Sequence, residues 1–252
     1  MSIAWLKHSF QRVILVVCMV ALVFCYGFWQ KNQRLEAIEA MSWVVAGRFY
    51  VIDPGHGGED PGKVGANEVY EKNINLAVAK KLQNIIIQGG GQVAMTRDQD
   101  ISLSSGQDTV RERKRADLVK RVEIAQNTKA DVFISLHCNS FPHSKWAGAQ
   151  TFYSPQVPGS KQLAEAVQEE LSAQLGNTSR KAKTDTETVI MRSSRIPIVN
   201  VEMGFLSNPR EAGLLQDPAY QDKLAWAVYS GVVRFLVDYG EEYHPTITTA
   251  EK

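Results

Sequence analysis

Two histidines and two glutamates in this chain have the side chains that a catalytic zinc site requires. His56 lies in the turn sequence DPGHGG, directly after the β-branched and aromatic run FYVID, and His137 lies in the apolar run DVFISLHC. Glu71 begins an apolar helical pattern, and Glu202 follows the apolar residues of VNVE. Two neutral imidazoles, one carboxylate and an open water position form the ligand set of a catalytic zinc. A second carboxylate within reach of the water can act as general acid and base.

These residues fall where strands end or a helix begins. The predicted strands cover residues 49–53, 92–97, 131–138, 148–153 and 198–202, and the predicted helices cover residues 71–88, 110–127, 161–175 and 218–239. Strands that alternate with helices are typical of an α/β domain with a mostly parallel sheet, which binds ligands at the carboxyl ends of its strands. The strand period of two places Phe133, Ser135 and His137 on one face. We therefore expect the four residues to meet at one edge of the sheet.

The spacing alone is only moderately specific, because each ligand is isolated in the sequence. A histidine after Pro-Gly is often a turn residue, and His137 could be a hydrogen-bonded core histidine. Glu71 could simply be a carboxylate favoured at a helix start, and Glu68 competes with it as a ligand. Glu202 is the hardest to explain structurally, because burying an unpaired carboxylate is expensive.

Composition excludes several functional classes. The 252 residues carry 28 Lys+Arg and 27 Asp+Glu, a formal charge of +1, whereas nucleic-acid-binding domains usually have a basic excess. Three cysteines are too few for a disulfide framework, and the lack of a CxxC pair argues against a zinc ribbon or a thioredoxin-like site.

The amino-terminal region differs from the rest of the chain. Residues 13–29 contain no charged side chain, and about 17 apolar residues are the lower limit for a membrane-spanning helix. We expect residues 1–30 to form an uncleaved membrane anchor, with a cleaved signal peptide as the alternative. Residues 31–47 are then a stalk, residues 48–240 the catalytic domain and residues 241–252 a flexible tail.

Several motifs resemble a known enzyme family. They are VIDPGHGGEDPG, EVYEKNINLAVAKKL, ISLHCNS, GAQTFY and VNVEMGFLSNPREAGLL. In this order they resemble the zinc-dependent N-acetylmuramoyl-L-alanine amidases of the third amidase family, over about residues 49–236. The resemblance implies Zn²⁺ held by His56, Glu71 and His137, with Glu202 as catalytic acid/base. It also implies a phosphorylase/hydrolase-like fold with a six-stranded sheet, and hydrolysis of the amide between the muramic acid lactyl group and the L-alanine of the stem peptide in peptidoglycan.

A narrower resemblance is to the germination-specific, spore-cortex branch of this family. It rests on MTRDQD, RERKRADLVKRV, KWAGAQTFY and NTSRKAK, together with the single short anchor and the lack of wall-binding repeats. It implies a role in the muramic-δ-lactam pathway, with a downstream muramic-acid deacetylase and an accessory lipoprotein as partners. The catalytic domain is then expected on the extracytoplasmic side of the cell membrane, in the space between the two forespore membranes.

Two other functions compete with the amidase. A zinc carboxypeptidase acting on stem peptides would need a residue that seats a terminal carboxylate, and no position in the sequence identifies itself as one. A non-catalytic wall-binding module would have no need of two glutamates in buried positions.

Overall fold

The computed structural model describes residues 3–65, 68–104 and 109–243 and separates the chain into two compact units, Met1–Met41 and Ser42–Lys252. Helix α1 (Ile3–Met41) forms the first unit and contains the apolar run of residues 13–29. Within the described residues, no helix combines the length and the apolar character needed to cross a membrane. The predicted transmembrane helix is therefore not supported. Residues 244–252, most of the predicted tail, lie outside the described residues.

The second unit is built on a six-stranded sheet. Its strands are β1 (Phe49–Pro54), β2 (Gln92–Met95), β3 (Val132–Asn139), β4 (Gln150–Tyr153), β5 (Lys183–Thr184) and β6 (Ile198–Phe205), in the order β2-β1-β3-β6-β4-β5. Neighbouring strands are parallel except for β4 and β6, which are antiparallel. The sheet is thus mixed: strands β2, β1, β3 and β6 are parallel to one another, and strands β4 and β5 run in the opposite direction. Strand β4 follows β3 through a loop without a helix. A parallel strand would need a longer crossover connection, so β4 runs antiparallel to β6.

Helices flank this sheet, so the predicted α/β class is confirmed. They are α2 (Glu71–Gln88), α3 (Val110–Asn127), α4 (Ser160–Leu175), α5 (Val189–Ser193), α6 (Pro209–Gln216) and α7 (Pro218–Tyr239), and a 3₁₀ helix covers Ser42–Val45. Helix α7 packs against α2 and α4, whereas α3 packs against α5 and β1. A capping box starts α3: the Thr109 side chain accepts a hydrogen bond from the Glu112 backbone N–H, and the Glu112 side chain accepts one from the Thr109 backbone N–H.

Successive rows of residues across β1, β3 and β6 lead from the core to the candidate site. Val51, Phe133 and Ile198 are register partners, and all three are buried in a cluster with residues of α3 and α5. Two residues further along each strand, the next row is polar: Asp53, Ser135 and Asn200. The row after that contains His137 and its partner Glu202. The parallel strands therefore deliver these polar groups to one edge of the sheet.

Candidate metal centre

His56 lies in the turn that follows β1. Its backbone has a φ of 64°, in the left-handed region that residues with a Cβ seldom adopt. The imidazole Nδ1 is hydrogen-bonded with Asp60 Oδ2 at 2.7 Å, and Nε2 lies 3.2 Å from Glu71 Oε1. A proton on Nδ1, shared with the carboxylate, leaves Nε2 with the lone pair that a metal requires.

Glu71 is the first residue of α2, and only 1% of it is exposed. Both of its carboxylate oxygens accept backbone hydrogen bonds: Oε2 from the Lys63 N–H at 2.7 Å and Oε1 from the Cys138 N–H at 2.9 Å. The helix N-terminus adds a favourable partial positive charge. These contacts fix the carboxylate in one position.

His137 completes a group of three. Its Nδ1 lies 3.0 Å from Glu71 Oε1, and its ring is edge-on to that of His56 with centroids 5.0 Å apart. One ligand atom from each of His56, Glu71 and His137 lies within 4.8 Å of the others. The structure thus brings together the three residues named from the sequence as metal ligands. The competing Glu68 is exposed and is not part of this group.

The electrostatics of the group favour a cation between the side chains. Burial alone would lower the pKa of His56, but hydrogen bonds and charge from Asp60 and Glu71 raise that pKa to about 9. Burial would raise the pKa of Glu71, yet the two histidines hold it well below its ordinary value. Glu71 is therefore an anion. A bound metal would take the place of the proton on Nε2 of His56, while Nδ1 keeps the proton shared with Asp60.

Glu202 lies beside this group on β6, opposite His137 in register. Its Oε1 accepts a hydrogen bond from Asn200 Nδ2 at 3.3 Å, while its Oε2 is buried and has no hydrogen-bond partner among the described residues. Burial raises the pKa of the Glu202 carboxyl; the nearby His137 opposes this effect and the charge of Glu71 reinforces it. An oxygen in this state is suited to accept a proton from a polar group that enters the site.

Comparison with known families assigns the chain to an enzyme family. The model of the family described as N-acetylmuramoyl-L-alanine amidase, Amidase_3, matches residues 51–234, which include all four residues above. The chain belongs to this amidase family. The amidase is also 36% identical to the germination-specific N-acetylmuramoyl-L-alanine amidase of Bacillus subtilis over 223 residues, 88% of this chain and 93% of the relative.

Solved structures show the same relationship. The CwlD amidase of Clostridioides difficile, determined in complex with the GerS lipoprotein, is 39% identical with a TM-score of 0.74, covering 76% of this chain and 99% of that one. The catalytic domain of the CwlV amidase of Bacillus (Paenibacillus) polymyxa is 33% identical with a TM-score of 0.66, covering 75% and 98%. The amidase domain is therefore shared along nearly its whole length.

A cavity of about 840 Å³ borders the histidines of the amidase. Its lining includes His56 and His137, apolar side chains of α3 and α5 such as Leu118 and Ile190, and basic side chains of α3. A site of this size next to the candidate metal ligands has room for part of a substrate.

Sequence reasoning missed a buried ionic network beneath the site. Asp53 is fully buried and accepts hydrogen bonds from Thr96 Oγ1 at 2.6 Å, Ser135 Oγ at 2.7 Å and Arg121 Nη1 at 2.6 Å. Arg121 also pairs with Asp117 at 2.6 Å. The helical spacing that turns Leu118 and Val122 inward also places Arg121 near the sheet. In the sequence this inward arginine is hard to recognise, because α3 contains many other basic residues.

Replacing Gly55 with alanine should disrupt the site of the amidase. An alanine Cβ at this position would lie 2.1 Å from His137 Cε1, so the imidazole would have to leave its place. We expect loss of metal binding by the three grouped residues and a destabilisation of about 1–3 kcal/mol, typical of overpacking. Zinc content and thermal unfolding test this. Gly213→Ala in α6 is the control, because no atom of the described residues lies within 4 Å of its added Cβ; loss of metal binding in both variants, or in neither, would contradict the expectation.

Proposed function

We propose that this amidase uses Zn²⁺ held by His56, Glu71 and His137. Two imidazole nitrogens and one carboxylate oxygen, close enough to share one ion, fit the donor set of a catalytic zinc, which leaves further positions open. The buried and unpartnered Oε2 of Glu202 next to them fits the same conclusion, because such an atom calls for a polar partner. The grouping of these three donor atoms beside Glu202 is the observation that carries the proposal.

In the proposed reaction, Glu202 moves the protons. Zinc, when bound, supplies Lewis-acid activation of water and of the amide carbonyl. Glu202 Oε2 takes a proton from the attacking water and later gives it to the departing alanine nitrogen, so one group serves as base and then as acid. Asn200 holds the other oxygen of this carboxylate through its hydrogen bond to Oε1. The water oxygen bonds to the lactyl carbonyl carbon and the C–N bond to L-alanine breaks, which leaves a carboxyl on the lactyl group and a free amino group on the stem peptide.

The cavity beside the histidines supports a position for the stem peptide. Arg113 and Lys114 line it from α3, where they pair with Glu59 at 3.6 Å and Asp60 at 3.0 Å. Stem peptides carry both apolar side chains and charged groups, and the cavity is lined by apolar side chains together with basic and acidic ones that can contact both. The proposed orientation places the peptide towards α3.

The biological role follows from the relatives. One of them is a germination-specific amidase, and another was solved with a lipoprotein. We extend these features to this chain: it removes stem peptides in spore cortex, a muramic-acid deacetylase acts after it in forming the δ-lactam, and an accessory lipoprotein assists it. Peptidoglycan lies outside the cytoplasmic membrane, so the catalytic domain is proposed to act there.

Digestion of peptidoglycan tests the reaction and its metal together. The full-length chain is purified, its zinc is quantified, and it is incubated with purified cortex and vegetative peptidoglycan before and after chelation. The expected products are intact stem peptides with free L-alanine amino termini, which disappear with the chelator and return with added zinc. Release of D-alanine alone would indicate a carboxypeptidase instead, and a chain that binds the wall without releasing product would indicate a binding module.

A further inference from the structure

The turn that carries His56 is held by two buried arginines. Arg97 follows β2 and Arg121 lies in α3, and they are 2% and 1% exposed. Among the described residues, neither one is hydrogen-bonded to a side chain of the metal group; both donate to backbone oxygens of the turn instead. Their contacts therefore bear on where the turn lies.

The two guanidinium groups satisfy three successive carbonyl oxygens. Pro54 O accepts from Arg97 Nε at 2.9 Å and from Arg121 Nη1 at 2.9 Å. Gly55 O accepts from Arg97 Nη2 at 3.1 Å, and His56 O accepts from Arg121 Nη2 at 2.8 Å. The backbone of the turn is thus fixed on both sides up to the metal ligand itself.

His56 needs such support because of its own conformation. A φ of 64° is unfavourable for a residue with a Cβ, and such backbone persists only where its surroundings determine it strongly. Without the hydrogen bond to its carbonyl oxygen, the turn would relax and carry the imidazole away from Glu71 and His137.

Arg121 is itself fixed in place. Asp53 and Asp117 each pair with it at 2.6 Å, and Asp53 is in turn held by Thr96 and Ser135. The guanidinium is planar and presents its donors as a rigid fork. A lysine at this position could not donate to two carboxylates and two carbonyl oxygens with the same geometry.

We propose that Arg121, together with Arg97, is a positioning residue that sets the place of His56 in the metal group by holding the carbonyl oxygens of its turn. This inference rests on the proposed zinc site. It differs from a merely structural role because its consequence is the geometry and affinity of the metal centre.

The test compares Arg121→Lys with the wild type in the full-length chain. Zinc affinity is measured on metal-free protein by competition with a chelator, and the absorption spectrum of the Co²⁺-substituted protein reports ligand geometry. We expect zinc affinity to fall by about 10- to 100-fold, as for other changes in the shell around metal ligands, and the cobalt spectrum to change.

Arg48→Lys is the matched control. Arg48 lies just before β1, at the opposite end of that strand, where it donates to Val44 O at 3.0 Å and pairs with Asp131 at 3.7 Å. Its replacement should lower the unfolding temperature and leave zinc affinity and the cobalt spectrum unchanged.

An Arg121→Lys variant with zinc affinity within twofold of wild type and an unchanged cobalt spectrum would overturn the inference. If that variant does not fold, Arg97→Lys is measured in the same way. This variant decides the question because Arg97 donates to the carbonyl oxygens of Pro54 and Gly55 in the same turn. Failure of the proposed function gives a different result, because the wild type itself would then bind no zinc or release no stem peptide.

Discussion

Glu202→Gln should abolish amidase turnover while leaving the metal centre in place. Glutamine has nearly the same shape as glutamate, and Glu202 is not one of the three proposed metal ligands. Glutamine cannot take a proton from water, so we expect kcat to fall by at least the ~10²–10⁴-fold typical of general acid–base catalysis. Rates of stem-peptide release and zinc content, measured on the same preparation, test this. Near wild-type turnover in the variant would remove Glu202 from the proposed mechanism.

The same variant should be more stable than the wild type when metal is absent. The pKa of Glu202 is raised in the folded state, so the folded protein favours the protonated form and is destabilised once the carboxyl ionises. Glutamine removes that penalty near pH 7. Well below the ordinary glutamate pKa of about 4.3 the carboxyl is protonated in folded and unfolded chains alike, and this ionisation penalty should vanish. Thermal unfolding of metal-free protein across this pH range measures the effect.

Glu211→Gln is the matched control for this stability effect. Glu211 is also buried, but its two oxygens accept hydrogen bonds from the Gly148 N–H at 2.7 Å and the Phe205 N–H at 2.8 Å. An amide there would turn a donor towards one of these N–H groups, so we expect a loss of about 1–3 kcal/mol. Stability changes of opposite sign in the two variants would separate a carboxylate with a free oxygen from one whose two oxygens both accept hydrogen bonds; destabilisation of both would contradict the reasoning.

The sequence predicts long elements with one apolar face well. Helices α2, α3 and α7 begin and end at the predicted residues. The apolar period is sustained in α2 and α7, and Gly89, Thr109 and Pro218 each mark a boundary of one of the three helices. Helices α5 and α6 and strand β5 are not predicted. They are two to eight residues long, too short for a period to show, and tertiary contacts decide their structure.

The candidate site divides in the same way. The alternation along β3 predicts that Ser135 and His137 share a face, and the structure places them in successive polar rows. The contact of Asp53 with Arg121 joins residues 68 positions apart and follows no local pattern. Zinc binding by the three grouped residues and catalysis by Glu202 stay predictions, which the variants described here test.

Glu71→Gln should remove zinc and activity together. The Glu71 carboxylate accepts the N–H groups of Lys63 and Cys138 through different oxygens, and Oε1 also faces both histidines. Glutamine keeps only one of these acceptors, so either a buried N–H loses its partner or the metal group gains an amide N–H₂. It also removes the one negative charge of the ligand set. We expect zinc affinity to fall by more than ~100-fold, beyond the range for residues around the ligands, and turnover to fall with it.

Glu68→Gln is the control that separates the two glutamates near this turn. Glu68 is exposed, so its replacement should change stability by no more than about 0.5 kcal/mol and leave zinc affinity unchanged. If Glu68→Gln loses zinc and Glu71→Gln keeps it, the ligand assignment is wrong and the turn before α2 must rearrange when metal binds. If Glu71→Gln alone loses zinc, the carboxylate at the helix N-terminus is the third ligand, and its two backbone hydrogen bonds explain how an anion is held there before the metal arrives.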